Sequence, residues 1–184
     1  VYQIGIEDSP PLVAKFYRPQ RWSDSAIQEE HAFSLQLAEA EIPVVPPLAF
    51  RGQTLHHAGE FRFTLFARQG GRTPELGDLD TQHWIGRFLG RIHAVGATQA
   101  FQHRETLSPE TFGHEPLHTI LDGPWLPPEL HTPFATIARE ALHAVEATYA
   151  RHSPRQLIRL HGDCHPGNLL WTDAGPHFVD MDDS

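Results

Sequence analysis

The 184-residue chain has a single cysteine, Cys164. One cysteine cannot form an internal disulfide, which excludes a disulfide-stapled secreted scaffold and favours a reducing compartment. No apolar run approaches the ~20 residues that a membrane-spanning helix needs. The first residues also show neither the basic nor the apolar region of a signal peptide. We therefore expect a cytoplasmic protein without a membrane partner.

Basic residues are also few. There are 14 Lys and Arg against 23 Asp and Glu, which gives a formal net charge of -9. A surface of that sign repels nucleic-acid backbones and anionic lipids, so neither is an expected partner. ATP is not excluded, because a local cation and Mg²⁺ can offset the charge. The length suits one domain or two small lobes, and a monomer is favoured.

Both ends of the chain predict a partial sequence. Val1 opens directly in a strand-like pattern without a preceding Met, and the sequence stops one residue after Asp183. We expect this chain to be part of a longer protein.

The densest group of chemically competent side chains lies between Arg159 and Asp183. Pro166-Gly167 excludes a continuing helix there, which places Asp163 in a loop. Residues 169–171 and 177–179 have the composition of two strands and predict an antiparallel hairpin with its turn at 172–175.

The hairpin predicts which side chains meet at its open end. With the turn centred near Ala174, the expected pairs are Leu169 with Val179, Leu170 with Phe178, and Asn168 with Asp180. A carboxylate beside a carboxamide oxygen suits a hard cation such as Mg²⁺. Asp163 is then free to accept a proton from an attacking hydroxyl, which is an arrangement for phosphoryl transfer.

The first part of the chain predicts a small sheet and one helix. Residues 1–6 and 12–17 indicate strands, and the second strand contains Lys15. A helix is expected from about residue 23 to 41, because Pro43 stops it. Further strands are expected at 47–50, 55–57 and 61–67.

Glu30 lies on the apolar stripe of this first helix. The other members of the stripe are Ile27, Phe33 and Leu37. A buried carboxylate needs a partner, and Lys15 is the candidate. Two alternatives stay open: a solvent-facing lysine with a wet Glu30, and Glu29 in place of Glu30.

The remainder of the chain predicts mainly helices. A strong helix is expected over 80–97, with Trp84, Ile85, Phe88, Ile92 and Val95 forming its apolar stripe. Residues 98–131 predict loops and short turns. A second helix is expected over 133–151, with Phe134, Ile137, Ala141, Val145 and Tyr149 facing inward, and a short strand over 157–160.

Three strings carry a resemblance to a known family: VAKFYRP, LHGDCHPGN and FVDMDD. His161-Gly162-Asp163, Asn168 five residues beyond the aspartate, and a strand ending in Asp-x-Asp resemble the catalytic and metal loops of the aminoglycoside phosphotransferase and choline kinase superfamily. The likeness is most specific in the last 25 or so residues. Within that superfamily the strings are most similar to bacterial serine/threonine protein kinases.

The resemblance implies an α+β, protein-kinase-like fold with two lobes. The expected N-lobe is a small antiparallel sheet at 1–68 without its nucleotide loop, followed by a hinge at 69–72. The expected C-lobe, 73–184, is mainly helical and is cut after the metal-binding motif.

The resemblance also implies the roles of the site residues in an ATP- and Mg²⁺-dependent kinase. Asp163 and Asp180 would be catalytic, Asn168 and Asp180 would hold Mg²⁺, and Lys15, Glu30 and Asn168 would bind the nucleotide. The implied acceptor is serine or threonine of proteins in a stress response. A small hydroxyl substrate of the aminoglycoside, choline or homoserine type is the alternative.

Two other functions compete with this interpretation. A zinc or two-metal hydrolase would use His161, Asp163, Cys164, His165, Asp180 and Asp182. The residues Gly-Asp-Cys between the two histidines lack the glutamate of a zincin, and Pro166 opposes a long helix. A non-catalytic, kinase-like nucleotide-binding module is the third possibility. The roles of Asp182, Asp183 and His165 stay open.

Overall fold

The computed structural model describes residues 1–152 and 156–184. The chain folds as two compact units. The first contains Val1–Arg104 and Ile158–Ser184, and the second is Glu105–Leu157. All residues of the predicted site belong to the first unit.

The first unit begins with a four-stranded antiparallel sheet. Its strands are β1 (Tyr2–Ile6), β2 (Ser9–Phe16), β3 (His56–Ala58) and β4 (Phe61–Ala67), in the spatial order β1-β2-β4-β3. Lys15 lies opposite Thr64 in the β2–β4 ladder. The strand predicted at 47–50 is reduced to single bridges at Pro47 and Phe50, because prolines 46 and 47 supply no backbone donor for a continuous ladder.

Helix α1 (Asp24–Glu39) follows the second strand, and Ser23 caps it by accepting a hydrogen bond from Ala26 N at 3.1 Å. Its buried side chains are Ala26, Ile27, Glu30, His31, Phe33, Ser34 and Leu37. The predicted apolar stripe, with Glu30 on it, is therefore confirmed.

The main core joins this helix to α2 (Leu79–Gly96) and to the C-terminal hairpin. Its buried members are Phe33, Leu37, Ile42, Val44, Ile85, Ile92, Leu169, Phe178 and Met181. Trp84, predicted to face inward, is 43% exposed instead. Because the same core fixes α1, α2 and the hairpin, it sets the positions of the site residues on those elements.

The hairpin is formed by β5 (Leu169–Thr172) and β6 (Gly175–Phe178). Its register differs by one residue from the prediction, since Leu169 pairs with Phe178 and Leu170 with His177. The turn is tighter than expected. Thr172 pairs with Gly175, which leaves two residues between the strands. Within this turn, Thr172 Oγ1 accepts a hydrogen bond from Ala174 N at 3.2 Å.

The shifted register also changes the open end of the hairpin. Asn168 O accepts from Val179 N at 3.1 Å, so Asn168 faces Val179 and not Asp180. Asp180 lies two residues past the end of β6, with a left-handed φ of 61°. Such a φ is uncommon for residues other than glycine and recurs at functional sites.

The hairpin is held at both edges by the chain around it. Phe178 N donates to Pro43 O at 2.8 Å, and Val45 N donates to Phe178 O at 3.1 Å. On the other edge, Arg72 and Trp171 exchange two backbone hydrogen bonds of 2.9 and 2.7 Å. The open end of the hairpin is therefore fixed by segments distant in the sequence.

The second unit is more helical than the sequence predicted. It contains a π-helical turn (Glu110–His114), α3 (Glu115–Asp122) and α4 (Pro128–Arg151). The loops expected over 98–131 thus include a complete helix. Helix α4 begins five residues before the predicted start at Pro133, because Pro128 occupies its first turn, where proline is well tolerated.

The inward face of α4 was predicted only in part. Phe134 and Tyr149 are half-buried as expected, but Ile137 is 69% exposed and Val145 is 44% exposed, whereas Ala135 is buried. The covered face is therefore shifted from the predicted one, and apolar side chains of α4 remain in contact with water.

Residues 157–160, predicted as a strand, contain no assigned strand. This segment contacts the end of α2 instead, through a hydrogen bond from Arg159 N to Gly96 O. No helix in the described part of the chain is both long and apolar enough to cross a membrane.

Candidate active site

The loop from His161 to Asn168 contains Asp163, the residue that the sequence predicts to be catalytic. His161 anchors its start, because the ring is buried and its Nε2 lies 3.1 Å from Val179 O. Burial lowers the pKa of His161, which favours the neutral ring. His161 therefore acts as a prop between the loop and the end of β6.

Gly162 brings this loop against the chain that follows Asp180. It has a left-handed φ of 81°, and a Cβ at this position would lie 1.8 Å from Asp183 O. Only glycine allows such an approach without moving backbone. The close passage places the loop of Asp163 beside the predicted metal-binding segment.

Asn168 has its amide orientation fixed by the same loop. Its Nδ2 donates to Asp163 O at 2.9 Å, and a carbonyl oxygen can only accept, so nitrogen must stand at that position. Oδ1 consequently points away from the loop backbone. A carboxamide oxygen presented in this way is a suitable ligand for a hard cation.

The carboxylate of Asp163 is half exposed, and one of its oxygens faces polar groups of the loop. Oδ2 lies 3.4 Å from Asn168 Nδ2 and 3.5 Å from His165 Nε2. Among the described residues, Oδ1 makes no hydrogen bond. That oxygen is the one available to an incoming hydroxyl group.

Lys15 projects from β2 toward this end of the hairpin. Its Nζ lies 2.5 Å from Asp180 Oδ1 and 3.4 Å from Asp182 Oδ2, and only 16% of its side chain is exposed. The alternative of a solvent-facing lysine is therefore wrong. Asp182, whose role the sequence left open, shares the ammonium with Asp180.

Glu30 lines the same cleft but does not have the predicted ion-pair partner. The direct ion-pair partners of Lys15 are the two aspartates, and the Lys15 charge acts on Glu30 only from a distance. Burial raises the pKa of Glu30 to about 7, and Lys15 only partly opposes that rise. The loss of hydration thus changes the pKa of Glu30 more than the Lys15 ammonium does.

Its rival from the sequence, Glu29, faces elsewhere. The Glu29 carboxylate accepts backbone hydrogen bonds from Gln102 N and His103 N, both at 2.7 Å. Glu30, and not Glu29, is the residue of this pair that lines the cleft.

A buried polar group that the sequence analysis missed lies behind Glu30. His31 Nε2 is 2.9 Å from Tyr17 Oη, 3.2 Å from Thr64 Oγ1 and 3.7 Å from Glu30 Oε2. On the other side of the ring, Nδ1 is 2.8 Å from Thr54 Oγ1. Burial lowers the pKa of His31 to about 4, so the ring is neutral near pH 7. The sequence did offer one signal for the burial of His31, namely its position next to Glu30 on the stripe of α1.

Two arginines missed by the sequence analysis hold the segment after Asp180. Arg21 forms an ion pair with Asp183 and lies 3.6 Å from Asp182 Oδ2. Arg104 is buried, donates to Asp182 O at 2.5 Å, and has its guanidinium 4.0 Å from the ring centre of Trp22. Arg21 precedes α1, and Arg104 follows α2. Both lie in polar stretches of sequence, where no local pattern distinguishes them from other polar residues.

Lys15, Glu30, Asn168 and Asp180 border a cleft of about 250 Å³. Its polar end contains Lys15, Glu30, Asn168 and Asp180, and its apolar walls include Val13, Val45, Phe66, Leu170 and Met181. A ligand with a flat apolar part and an anionic part, joined to a cation, matches this lining.

The residues of the hydrolase alternative are not gathered in this way. Within residues 1–152 and 156–184, no group of three or more His, Cys, Asp or Glu side chains is arranged to hold a metal ion. His161 is bonded to the backbone, and Cys164 is exposed. Among the described residues, the geometry gives no reason to prefer a zinc hydrolase to a cation site made of amide and carboxylate oxygens.

Fold and site together define a protein of the α+β class with a kinase-like phosphotransferase fold, in which Lys15 of a small antiparallel sheet meets Asp180 beside the loop of Asp163 and Asn168. The model of the APH phosphotransferase enzyme family matches residues 1–184, and the chain belongs to that family. The predicted family and fold class are confirmed.

Curated relatives are similar along the whole chain. Stress response kinase A of Escherichia coli (strain K12) is 44% identical over 184 residues, which cover all of this chain and 55% of that protein. Serine/threonine protein kinase RdoA of Salmonella typhimurium (strain LT2) is 41% identical with the same coverage. The chain thus spans about half the length of these relatives.

Solved structures share the fold at low identity. Amicoumacin kinase hAmiN, in complex with AMP-PNP, Ca²⁺ and Ami, superposes with a TM-score of 0.75 at 19% identity, over 99% of this chain and 55% of that one. A microcompartment-associated aminopropanol kinase gives 0.67 at 19% identity, over 96% and 59%. These likenesses support the fold.

Proposed function

We propose that this protein is an ATP- and Mg²⁺-dependent kinase that phosphorylates serine or threonine hydroxyls of proteins in a cytoplasmic stress response. The observation that carries the proposal is the convergence of Lys15, Asn168 and Asp180 at the polar end of one cleft, next to Asp163. The family supplies the reaction class.

The oxygen set at the polar end suits Mg²⁺. Asn168 presents its amide oxygen, since Nδ2 is bonded to Asp163 O, and Asp180 adds an exposed carboxylate. When bound, Mg²⁺ would neutralise charge on the ATP phosphates. Lys15 would bind phosphate oxygens from the sheet side, as its ammonium already faces Asp180.

Asp163 is suited to receive the proton of the acceptor hydroxyl. One of its oxygens is turned to Asn168 and His165, and the other is open. As the hydroxyl oxygen bonds to the γ-phosphorus and the bond to ADP breaks, the hydroxyl proton passes to the open oxygen. His161 fixes the loop during this step through its contact with Val179.

The apolar walls of the cleft suit an adenine ring. Val13 and Phe66 are paired on neighbouring strands, and Val45 and Leu170 also line the cleft. Gln69, at the predicted hinge, also borders the cleft and can offer polar groups to the edge of a base. The lobe boundaries at 68 and 72 stay a prediction.

Protein serine or threonine is proposed as the acceptor because of the names of the relatives. Proteins that are 41–44% identical over the full chain are called Stress response kinase A and Serine/threonine protein kinase RdoA. The small-molecule kinases among the solved structures share the fold only, at 19% identity.

The test uses the full-length gene product, γ-labelled ATP, Mg²⁺ and an extract of its own cells. We expect label in protein bands with the alkali lability of phosphoserine. Asp163→Asn should lower the transfer about 10²- to 10⁴-fold, because it removes the proton acceptor. Asp173→Asn, at the exposed hairpin turn, is the matched control and should keep full activity.

Each other result changes a specific part of the proposal. Label found only in small molecules would replace the protein acceptor with a metabolite or an antibiotic. A folded protein that binds Mg-ATP but transfers no label would leave a non-catalytic nucleotide-binding module. Equal activity of Asp163→Asn and wild type would sink the role of Asp163.

A further inference from the structure

His165 lies between Asp163 and Asn168, and both nitrogens of its ring have a neighbour. Nδ1 accepts a hydrogen bond from Gly167 N at 3.0 Å, and Nε2 lies 3.5 Å from Asp163 Oδ2. A ring nitrogen that accepts a hydrogen bond carries no hydrogen, so the neutral ring is protonated at Nε2. The loop therefore fixes the tautomer that presents an N–H to the carboxylate.

The backbone of the loop fixes where this ring stands. His165 N donates to Asp163 O at 3.1 Å, and Asn168 N donates to His165 O at 2.9 Å. Together these bonds close a compact turn around His165. The distance between the ring and the carboxylate is thus set by main-chain geometry as well as by the side-chain rotamer.

Gly167 is needed for this position of the ring. A Cβ at Gly167 would lie 2.6 Å from Cε1 and 3.0 Å from Nδ1 of His165. The absence of a side chain lets the imidazole lie directly against the backbone N–H. This glycine therefore serves the placement of His165, which caps the 3₁₀ turn Pro166–Asn168.

We propose that His165 is a positioning residue for phosphoryl transfer. Its Nε2–H and Asn168 Nδ2 both face Oδ2 of Asp163, and together they select the carboxylate rotamer that turns Oδ1 toward the acceptor hydroxyl. The separation of 3.5 Å shortens to a hydrogen bond when the acceptor binds, as catalytic contacts commonly do. This inference rests on the proposed kinase function.

Two substitutions separate the two contacts of the ring. In His165→Asn, the amide oxygen replaces Nδ1 and keeps the bond to Gly167, but nothing reaches Asp163. In His165→Gln, the longer amide brings an N–H to the place of Nε2 and leaves Gly167 N unbonded. If the role of His165 is purely structural, loss of the contact with Gly167 should cause the defect. If His165 positions the carboxylate, loss of the contact with Asp163 should cause it.

The experiment measures kcat, the KM for ATP and Tm of the full-length protein in the label-transfer assay. We expect His165→Asn to keep the wild-type Tm and KM while kcat falls about 10- to 100-fold, since the base is misoriented. His165→Gln should lower Tm and keep kcat within about 3-fold of wild type. His143→Asn, on the exposed face of α4, is the matched control.

A measurement independent of activity accompanies the kinetics. In ¹⁵N-histidine ring spectra, the signal missing from His165→Asn should be that of a ring with a hydrogen on Nε2 and none on Nδ1. A ring protonated at Nδ1 overturns the proposal. So does wild-type kcat in His165→Asn, or a parallel loss of kcat and Tm in both variants.

The kinase function and this inference fail in different ways. A wild-type protein that binds Mg-ATP without transferring phosphate overturns the proposed function, and the positioning role falls with it. An active wild type with an unaffected His165→Asn overturns only the role of His165.

Discussion

At the scale of single residues, water and charge act in opposite directions on Glu30. The carboxyl is 5% exposed and borders the cleft, so it has lost almost all hydration. The nearby Lys15 ammonium is paired with Asp180 and Asp182, so it favours the Glu30 anion only from a distance. The net result is a pKa raised from 4.5 to about 7.

This pKa gives the stability a pH dependence whose sign can be derived. Between pH 4.5 and about 7, Glu30 holds its proton in the folded state and has lost it in the unfolded chain. The folded state therefore binds more protons, and the free energy of unfolding falls as the pH rises through this window. We expect Glu30→Gln to match wild type near pH 4.5 and to exceed it by up to roughly 3 kcal/mol at pH 8.

Urea denaturation at the two pH values measures this difference. Glu39→Gln, on the exposed side of the same helix, is the control and should show no such pH dependence. A stability gap between Glu30→Gln and wild type that is equal at both pH values, or larger in acid, contradicts the prediction.

At the scale of secondary-structure elements, the end of α2 packs against the segment that leads into the loop of Asp163. Arg159 N donates to Gly96 O, and the Arg159 guanidinium donates to Val95 O at 3.1 Å while lying 4.3 Å from the ring centre of Phe33. A Cβ on Gly96 would lie 2.0 Å from Arg159 O. The approach of the two backbones thus requires glycine.

Substitution of two glycines in α2 tests this packing. Gly96→Ala must push apart two backbones, and we expect it to lower the free energy of unfolding by about 1–3 kcal/mol. Gly90→Ala meets nothing within 4 Å and should raise it by up to about 1 kcal/mol, because alanine favours a helix. Chemical denaturation of both variants measures the difference, and changes of the same sign would count against the packing described.

Arg104 holds the segment that follows β6, as Arg159 holds the segment that precedes the loop of Asp163. It is 8% exposed, and its contacts are backbone carbonyls and the face of Trp22. We expect Arg104→Ala to lower the free energy of unfolding by about 1–3 kcal/mol, because it leaves carbonyls such as Asp182 O without a donor.

Arg91→Ala provides the matched control for this change. Arg91 also donates to carbonyls, those of Ala40 and Glu41, but it is exposed, so water can replace it. Its loss should cost less than about 1 kcal/mol. Thermal or urea denaturation that ranks the two variants equally would contradict the role given to Arg104.

At the scale of the whole molecule, ligand binding couples to stability. The cleft residues come from β2, β4, α1, the hairpin and neighbouring segments, all within the first unit, so a ligand there binds the folded state only. At 100 times its Kd, Mg-ATP would add about 2.7 kcal/mol. We expect a rise in Tm of about 3–5 °C for a full-length protein as long as its relatives.

Removal of the metal tests the same coupling. Without Mg²⁺, the rise in Tm with ATP should be small in wild type, and adding Mg²⁺ should add nothing in Asp180→Asn. Asp173→Asn should behave as wild type. A shift that is the same with and without Mg²⁺, or one that Asp180→Asn retains, would contradict the proposal that Asp180 holds a cation.

Local patterns could be predicted where neighbouring residues alone decide them. The stripe on α1, with Glu30 on it, follows from helical spacing, and Pro166-Gly167 places Asp163 in a loop. The hairpin was found but its register was wrong by one residue, because the sequence does not show that the turn closes over two residues at Asp173 and Ala174. A shift of the register by one residue gives each side chain a different partner on the opposite strand.

The inward face of α4 could not be predicted from apolar spacing alone. Ile137 and Val145 form a regular pattern, yet the described structure leaves both exposed. Amphipathic spacing shows which side chains share a face, but burial depends on whether another element packs there. Arg21 and Arg104 gave no signal for the corresponding reason, since their partners lie far away along the chain.

The sequence by itself determined the family, the loop with Asp163 and Asn168, and the burial of Glu30, because short stretches of backbone fix spacing and periodicity. Only the tertiary structure decided the charges around them. Lys15 meets Asp180 across 165 positions of sequence and acts on Glu30 only from a distance. Coulomb attraction depends on distance in space and burial removes water, and neither quantity exists until the chain has folded.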